Sequence, residues 1–114
     1  MTNTRIEYLY RDQSNYKRLN SVIIPGEITP EQQRRILSTL EDGEYFVPRN
    51  VGLPETKFAS TTQDDHDFFE LDSASFYPTD KDPEITTDPE ALTRRFEACA
   101  GKWLSMPEIP VDFV

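Results

Sequence analysis

The sequence has few of the residues on which catalytic sites in small proteins are usually built. It contains a single cysteine, so an internal disulfide is excluded. Its four glycines form no Gly-x-Gly-x-x-Gly or Walker loop, which leaves no loop that could cradle a phosphate. No Gly-x-Ser-x-Gly element is present to carry a nucleophilic serine. We therefore expect a protein that is not an enzyme and that needs no cofactor.

Long apolar runs are also missing. No stretch approaches the roughly 18–20 apolar residues that a membrane-spanning helix needs. Residues 1–5 lack the apolar core of a signal peptide, and the acidic balance disfavours docking on an anionic membrane. The lone thiol of Cys99 fits a reducing compartment, so the sequence predicts a cytoplasmic protein that does not bind membranes.

Basic residues are scarce as well, and their distribution is uneven. The chain has 12 Lys and Arg against 21 Asp and Glu, a formal net charge of −9. Positions 64–90 hold ten carboxylates and one lysine, whereas residues 1–35 hold six basic and four acidic side chains. An acidic surface of this kind repels nucleic acid and attracts basic partners.

What the chain does contain is enough for one small core. Its 114 residues correspond to one domain, 1–114, and seven Phe, five Tyr and one Trp supply large apolar side chains. Prolines and scattered polar residues predict an irregular loop at 48–66 and an irregular C-terminal tail at 105–114.

Two alternating segments predict strands. Ile6, Tyr8 and Tyr10 fall on one face of the first segment, and turn-forming residues follow it. The stretch 16–24 then predicts a second strand, so the two form an antiparallel hairpin. A short strand is expected at 44–47. The stretch 67–77 has the alternating pattern of a strand, but its aromatic residues fall on both faces. A bend between Leu71 and Phe76 would explain why both faces carry them.

Two helices have clear start signals. Thr29 followed by Pro30 and Gln32 predicts a capped helix over about 30–42, with Gly43 just beyond its end. Asp88 followed by Pro89 starts the second helix, which Gly101 is placed to end, leaving Trp103 to pack from a tail. The expected fold is α+β, with a small antiparallel sheet of three to four strands. Two helices pack on one sheet face, in the order β-β-α-(β)-β-α. The other face is then partly open, with Leu9 or Phe68 on it.

The segment from Ile6 to Lys17, Ile-Glu-Tyr-Leu-Tyr-Arg-Asp-x-Ser-Asn-Tyr-Lys, resembles the opening of a group of small uncharacterised bacterial proteins. Similarity is looser through the first helix and its Gly-Glu-Tyr-Phe exit. The resemblance implies a bacterial or bacteriophage source and assigns neither an activity nor site residues.

Two clusters offer chemistry. The run Asp64-Asp65-His66-Asp67 has the ligand types of a metal site, but adjacent residues point in different directions and no second ligand pair follows. Cys99 lies between Phe96 and Trp103 on a helical apolar stripe, which favours a buried structural thiol over a nucleophile.

The acidic segment carries the functional prediction. Its dense carboxylates either keep the protein soluble or dock on a basic partner, where they would imitate nucleic-acid phosphates. We predict a non-enzymatic inhibitor or regulator, either an anti-CRISPR or anti-restriction type of nucleic-acid mimic or an immunity or antitoxin partner of a basic toxin. Its partner is a basic protein, without direct binding of nucleic acid. The alternatives are an accessory subunit that binds through the open sheet face and the 48–66 loop, or a metal-binding module at 64–67. The predicted partner-binding residues are Asp64, Asp65, Asp67, Glu70, Asp72, Asp80, Asp82 and Glu84.

Overall fold

The first two strands form the hairpin that the alternating pattern predicts. The computed structural model describes residues 2–11, 15–56 and 66–114. Strand β1, Asn3–Arg11, pairs antiparallel with β2, Lys17–Ile24, in a register that sets Leu9 opposite Leu19. Strand β2 thus starts one residue later than expected. The turn at 12–14 lies outside the described residues.

The opposite edge of β1 pairs with further short strands. Strand β3, Tyr45–Phe46, pairs with β4, Phe69–Glu70. Strands β4 and β5, Phe76–Thr79, both pair with β1. The sheet therefore has five strands, in the order β2-β1-β4-β3 with β5 beside β1, rather than three to four.

A three-residue bulge separates β4 from β5. Leu9 lies opposite Glu70 and Ile6 opposite Phe76, so three steps along β1 match six steps along its neighbour. The backbone N–H of Glu7 donates to the carbonyl of Ser75, so the extra residues are 72–74. This confirms the expected bend.

The bulge also explains why aromatics occupy both faces of the pattern. An insertion of an odd number of residues changes which positions of a strand point inward. Phe69 and Phe76 are seven positions apart, yet Phe69 is fully buried and Phe76 packs against the same core. Tyr77 consequently faces outward.

Helix α1, Pro30–Leu37, has the predicted start. The Thr29 hydroxyl accepts from the Gln32 backbone N–H, and the Gln32 side chain accepts from the Thr29 N–H. The helix ends well before residue 42, however. The hydroxyls of Ser38 and Thr39 donate to the carbonyls of Arg35 and Ile36, and such bonds compete with a further helical turn.

Helix α2, Pro89–Cys99, starts as expected, with the Asp88 carboxylate accepting from the Ala91 N–H at 2.8 Å. Gly101 has φ +71° just beyond the end of the helix. Trp103 is buried from the following tail, and its indole N–H donates to the Thr39 carbonyl at 3.0 Å. The tail thereby ties the end of α2 to the end of α1.

Both helices cover the inner face of the sheet, which Ile6, Tyr8 and Tyr10 of β1 form. The core is one cluster that joins these residues to Ile36 of α1 and to Phe96 of α2. The fold is thus α+β, a small antiparallel sheet with two helices. No helix in the described ranges is long and apolar enough to cross a membrane.

The two segments predicted as irregular contain no strand and no α-helix where the structure describes them, but they differ in burial. Within 48–66, a single 3-10 turn at Pro48–Asn50 leads into the buried Val51 and Leu53. In the tail, the Ile109 N–H donates to the Arg49 carbonyl. Proline and polar content gave no sign that Val51 and Leu53 are buried, whereas no residue of the tail at 105–114 is buried.

Candidate functional site: an acidic groove on the outer face of the sheet

The outer face of the sheet, formed by Arg5, Glu7, Leu9 and Arg11 of β1, carries a concavity. Alternation puts these side chains opposite the inner face, and no helix of the described chain covers them. A groove of about 300 Å³ crosses this face. We call it the outer groove.

The floor of the outer groove is apolar. Leu9 of β1 and Leu19 of β2 are cross-strand neighbours on it, and Leu19 is 61 % exposed. Ala74 and Tyr77 line the opposite side, where the 72–74 bulge rises beside β1. The bulge therefore creates the wall that turns a flat sheet face into a groove.

Carboxylates surround this floor. The acidic residues that line the outer groove are Glu7, Glu44, Glu70 and Asp72. No lysine or arginine is among its lining residues in the described part of the chain. Low-dielectric walls lined by one sign of charge concentrate the electrostatic field, so the groove attracts cations.

Two of these carboxylates already bind guanidinium groups of the same chain. Arg11 donates from Nε to Glu70 at 2.9 Å, and from a second nitrogen to the other Glu70 oxygen at 3.5 Å. Arg5 lies over the Tyr77 ring, with its guanidinium carbon 5.3 Å from the ring centroid and its Nε 3.9 Å from Glu7. A guanidinium thus sits at each end of the groove.

The pKa shifts reflect these contacts. The hydrogen bond that Arg11 donates to Glu70 raises the pKa of the Arg11 guanidinium, which stays charged throughout the physiological range. Partial burial, and then the neighbouring Glu7, raise the pKa of the Tyr77 hydroxyl, which remains protonated and able to donate.

The other two carboxylates form no ion pair with any described residue. Asp72 accepts from the Ala74 N–H at 2.8 Å, which fixes the bulge, and Glu44 is exposed. The Leu71 N–H donates to the Glu44 carbonyl at 2.9 Å, so the two acidic residues lie on adjacent backbone segments. They give the groove its excess of negative charge.

Of the predicted partner-binding residues, the structure brings Glu70 and Asp72 together at the outer groove. Asp64 and Asp65 lie outside the described residues. Asp67 lies elsewhere, with its carboxylate 2.8 Å from Arg49.

The remaining three predicted residues lie in the segment after β5. Asp80 and Asp82 are exposed, and no hydrogen bond or ion pair joins their side chains to other described residues. Glu84 has a structural contact, because its backbone and its carboxylate both bond to Ile23 at the edge of β2.

Of the four residues of the metal alternative at 64–67, the structure describes His66 and Asp67. No group of three or more His, Cys, Asp or Glu residues is arranged in the described ranges to hold an ion. His66 donates from Nε2 to the Arg11 carbonyl at 2.6 Å and accepts at Nδ1 from the Phe68 N–H at 3.2 Å. Both nitrogens are therefore engaged, and the imidazole anchors the start of the segment that leads into β4.

Cys99 is buried, as its place on the helical stripe predicts. Burial raises the pKa of its thiol, which keeps it protonated and unreactive. Phe68, expected on the open face, is partly buried against Tyr45, and the two rings line a second depression with Glu41 and Asp42.

Sequence reasoning missed Glu44 and the floor residue Leu19. A visible signal was the run Glu41-Asp42-Gly43-Glu44, a dense acidic turn after α1. Asp42 and Gly43 both have positive φ, and the backbones of Glu41 and Tyr45 bond to each other across the turn. This tight turn presents Glu44 at the rim of the groove.

Comparison with known proteins gives this chain no relative: no family model, no curated protein and no solved structure matches it.

Proposed function

We propose that this protein is a non-enzymatic binding protein that docks on a basic surface of another protein and acts as an inhibitor or regulator. The observation that supports this function is the outer groove, whose apolar floor is lined by four carboxylates, two of which pair with arginines of the same chain while Glu44 and Asp72 form no ion pair with a described residue. Apolar contact gives affinity, whereas charge gives steering and selectivity. The buried, protonated Cys99 is compatible with a reducing cytoplasm, where we place the protein.

The groove favours a protein partner contacted at one face over imitation of a phosphate row. Phosphate imitation needs carboxylates spaced along one elongated face, at about one charge per 1.7 Å. In the acidic segment, Asp67, Glu84 and Asp88 are instead engaged with Arg49, Ile23 and the start of α2. We therefore favour, as the partner, a basic toxin or a basic effector whose surface this protein covers.

The test is affinity capture from native lysate with two matched double variants. Glu44→Gln with Asp72→Asn removes two charges from the outer groove, and the amide introduced at position 72 retains an acceptor for the Ala74 N–H. Asp80→Asn with Asp82→Asn removes two charges from exposed positions outside it. We expect the wild type and the 80/82 variant to capture a basic partner at low salt, and the 44/72 variant to lose it. High salt should release the partner from the wild type.

Two results would contradict the proposal. Capture that does not respond to salt would remove the electrostatic basis. Loss of the same partner in the 80/82 variant, with retention in the 44/72 variant, would move the docking surface to the acidic segment that the sequence predicts.

A further inference from the structure

We infer that the outer groove takes one arginine side chain of the basic partner, with its guanidinium between Glu44 and Asp72 and its methylene stem on Leu9 and Leu19. This inference rests on the proposed function and names the group that the partner inserts. The size of the groove, its charge and the contacts of the chain's own arginines support it.

The size of the outer groove fits one long side chain. A volume of about 300 Å³ is at the lower end of the range for small-molecule pockets, roughly 300–1,000 Å³. One long side chain with its flanking backbone fills such a space. Long basic side chains lay an apolar stem on apolar surface and keep the charged end near polar groups. The cross-strand pair Leu9 and Leu19 supplies that surface.

The charge of the outer groove favours a cationic side chain. Four carboxylates line the groove, and two of them are paired with Arg5 and Arg11 of the same chain. The other two carboxylates, Glu44 and Asp72, lie on segments joined by the hydrogen bond from the Leu71 N–H to the Glu44 carbonyl. One added cation therefore meets two acceptors that no described basic residue occupies.

The contacts of this chain's own arginines favour arginine over lysine as the inserted side chain. At both ends of the groove this chain itself uses arginine: Arg11 bonds to both oxygens of Glu70, and Arg5 stacks on the Tyr77 ring. A planar guanidinium binds two acceptors at once and stacks on an aromatic ring, whereas an ammonium is a compact point charge. With Glu70 and Tyr77 already in contact with Arg11 and Arg5, the two remaining carboxylates, Glu44 and Asp72, offer two acceptors to one incoming guanidinium.

The experiment is an NMR titration of the full chain with three acetylated, amidated tripeptides, Leu-Arg-Leu, Leu-Lys-Leu and Leu-citrulline-Leu. Citrulline keeps the shape of arginine and removes its charge. We expect saturable shifts of the backbone amides of Leu9, Leu19, Glu44 and Asp72 with the arginine peptide. Loss of one charge-assisted bond predicts about tenfold weaker binding of the lysine peptide.

Variants locate the effect. Glu44→Gln with Asp72→Asn should abolish the shifts, and the charge-matched Asp80→Asn with Asp82→Asn should leave them unchanged. Equal affinity for the arginine and lysine peptides would overturn the arginine inference and leave docking on a basic partner intact. Equal binding of the citrulline peptide, or no shifts at the groove with either cationic peptide, would overturn both.

Discussion

At the residue scale, several carboxylates of the acidic segment have structural contacts. Asp67 pairs with Arg49, Glu70 with Arg11, and Asp88 caps α2. Net charge alone gives no sign of these contacts, because Arg49 and Arg11 come from elsewhere in the chain. The charge available to a ligand is therefore smaller than the composition suggests.

Arg49 provides the sharpest test of these ion pairs. Its guanidinium lies 2.8 Å from Asp67 and 3.5 Å from Glu55, whose side chain is only 16 % exposed. Arg49→Gln removes the cation from both carboxylates, so we expect a loss of about 1–2 kcal/mol in the free energy of unfolding, measured by urea denaturation.

The matched control is Arg94→Gln. Arg94 pairs with Glu90 one helical turn away, and its own side chain is 76 % exposed. Solvent screens such a pair, so this variant should unfold at the wild-type urea concentration. Equal effects of the two substitutions would show that Arg49 has no special role.

At the element scale, the 72–74 bulge is the feature on which the outer groove depends. Without residues 72–74, the pairing with β1 would run without a break from Leu9 opposite Glu70 to Ile6 opposite Phe76. Leu71 would then lie opposite Tyr8, and Ser75 already bonds to Glu7. The bulge is thus an insertion into an otherwise regular strand.

Deletion of residues 72–74 is therefore expected to fuse β4 and β5 into one strand and to preserve the fold. The shorter connection should change the free energy of unfolding by less than about 2 kcal/mol, because loop length affects closure entropy only weakly. Circular dichroism and urea denaturation measure this. The same variant should lose the partner in the capture assay, and loss of cooperative unfolding would refute the register argument.

The contact between the two helices predicts an effect of pH. Arg35 of α1 donates to both oxygens of Glu97 of α2, at 2.7 and 3.1 Å. This hydrogen bonding lowers the pKa of Glu97 below its ordinary value of 4.5. A carboxylate whose folded pKa is lowered stabilises the protein above its ordinary pKa, and the contribution disappears as pH falls through the lowered value.

The melting temperature of the Glu97→Gln variant should accordingly fall less than that of the wild type when the pH drops below 4.5. Thermal melts at a series of pH values measure this. Asp82→Asn, at an exposed position without an ion pair to any described residue, should keep the wild-type pH profile. Identical profiles for Glu97→Gln and wild type would mean that the pair does not couple the helices.

At the scale of the whole molecule, one aromatic cluster joins the sheet to the second helix and its tail. Phe46 of β3 stacks on Phe96 of α2 with centroids 5.3 Å apart, and Trp103 meets both rings edge-on. Aromatic side chains supply much of the buried apolar area in a chain whose apolar content is only 36 %. Stability therefore depends strongly on a few side chains.

Phe96→Leu should lower the free energy of unfolding by about 1–2 kcal/mol, since a smaller side chain leaves a void in a packed core. Phe113→Leu, at a residue that is 64 % exposed, should have little effect. Urea denaturation of both variants compares them directly. Comparable losses would indicate that the tail carries as much of the core as α2 does.

The sequence by itself determined the local elements. The alternation of β1, the capping residues Thr29 and Asp88, and the bend before Phe76 are short-range signals, because backbone hydrogen bonding and side-chain capping act within a few residues. The number of strands and the end of α1 were missed. Two-residue strands carry almost no periodic signal, and Ser38 and Thr39 end the helix through their own side chains.

Only the tertiary structure decided which charges face a common groove. Arg11 and Glu70 are 59 positions apart, and Glu44 meets the Asp72 bulge through pairing of strands distant in sequence. Neither contact follows from spacing along the chain. The sequence therefore determined that the protein is acidic, whereas the fold decided which carboxylates bind arginines of the same chain and which two line the groove without such a pair.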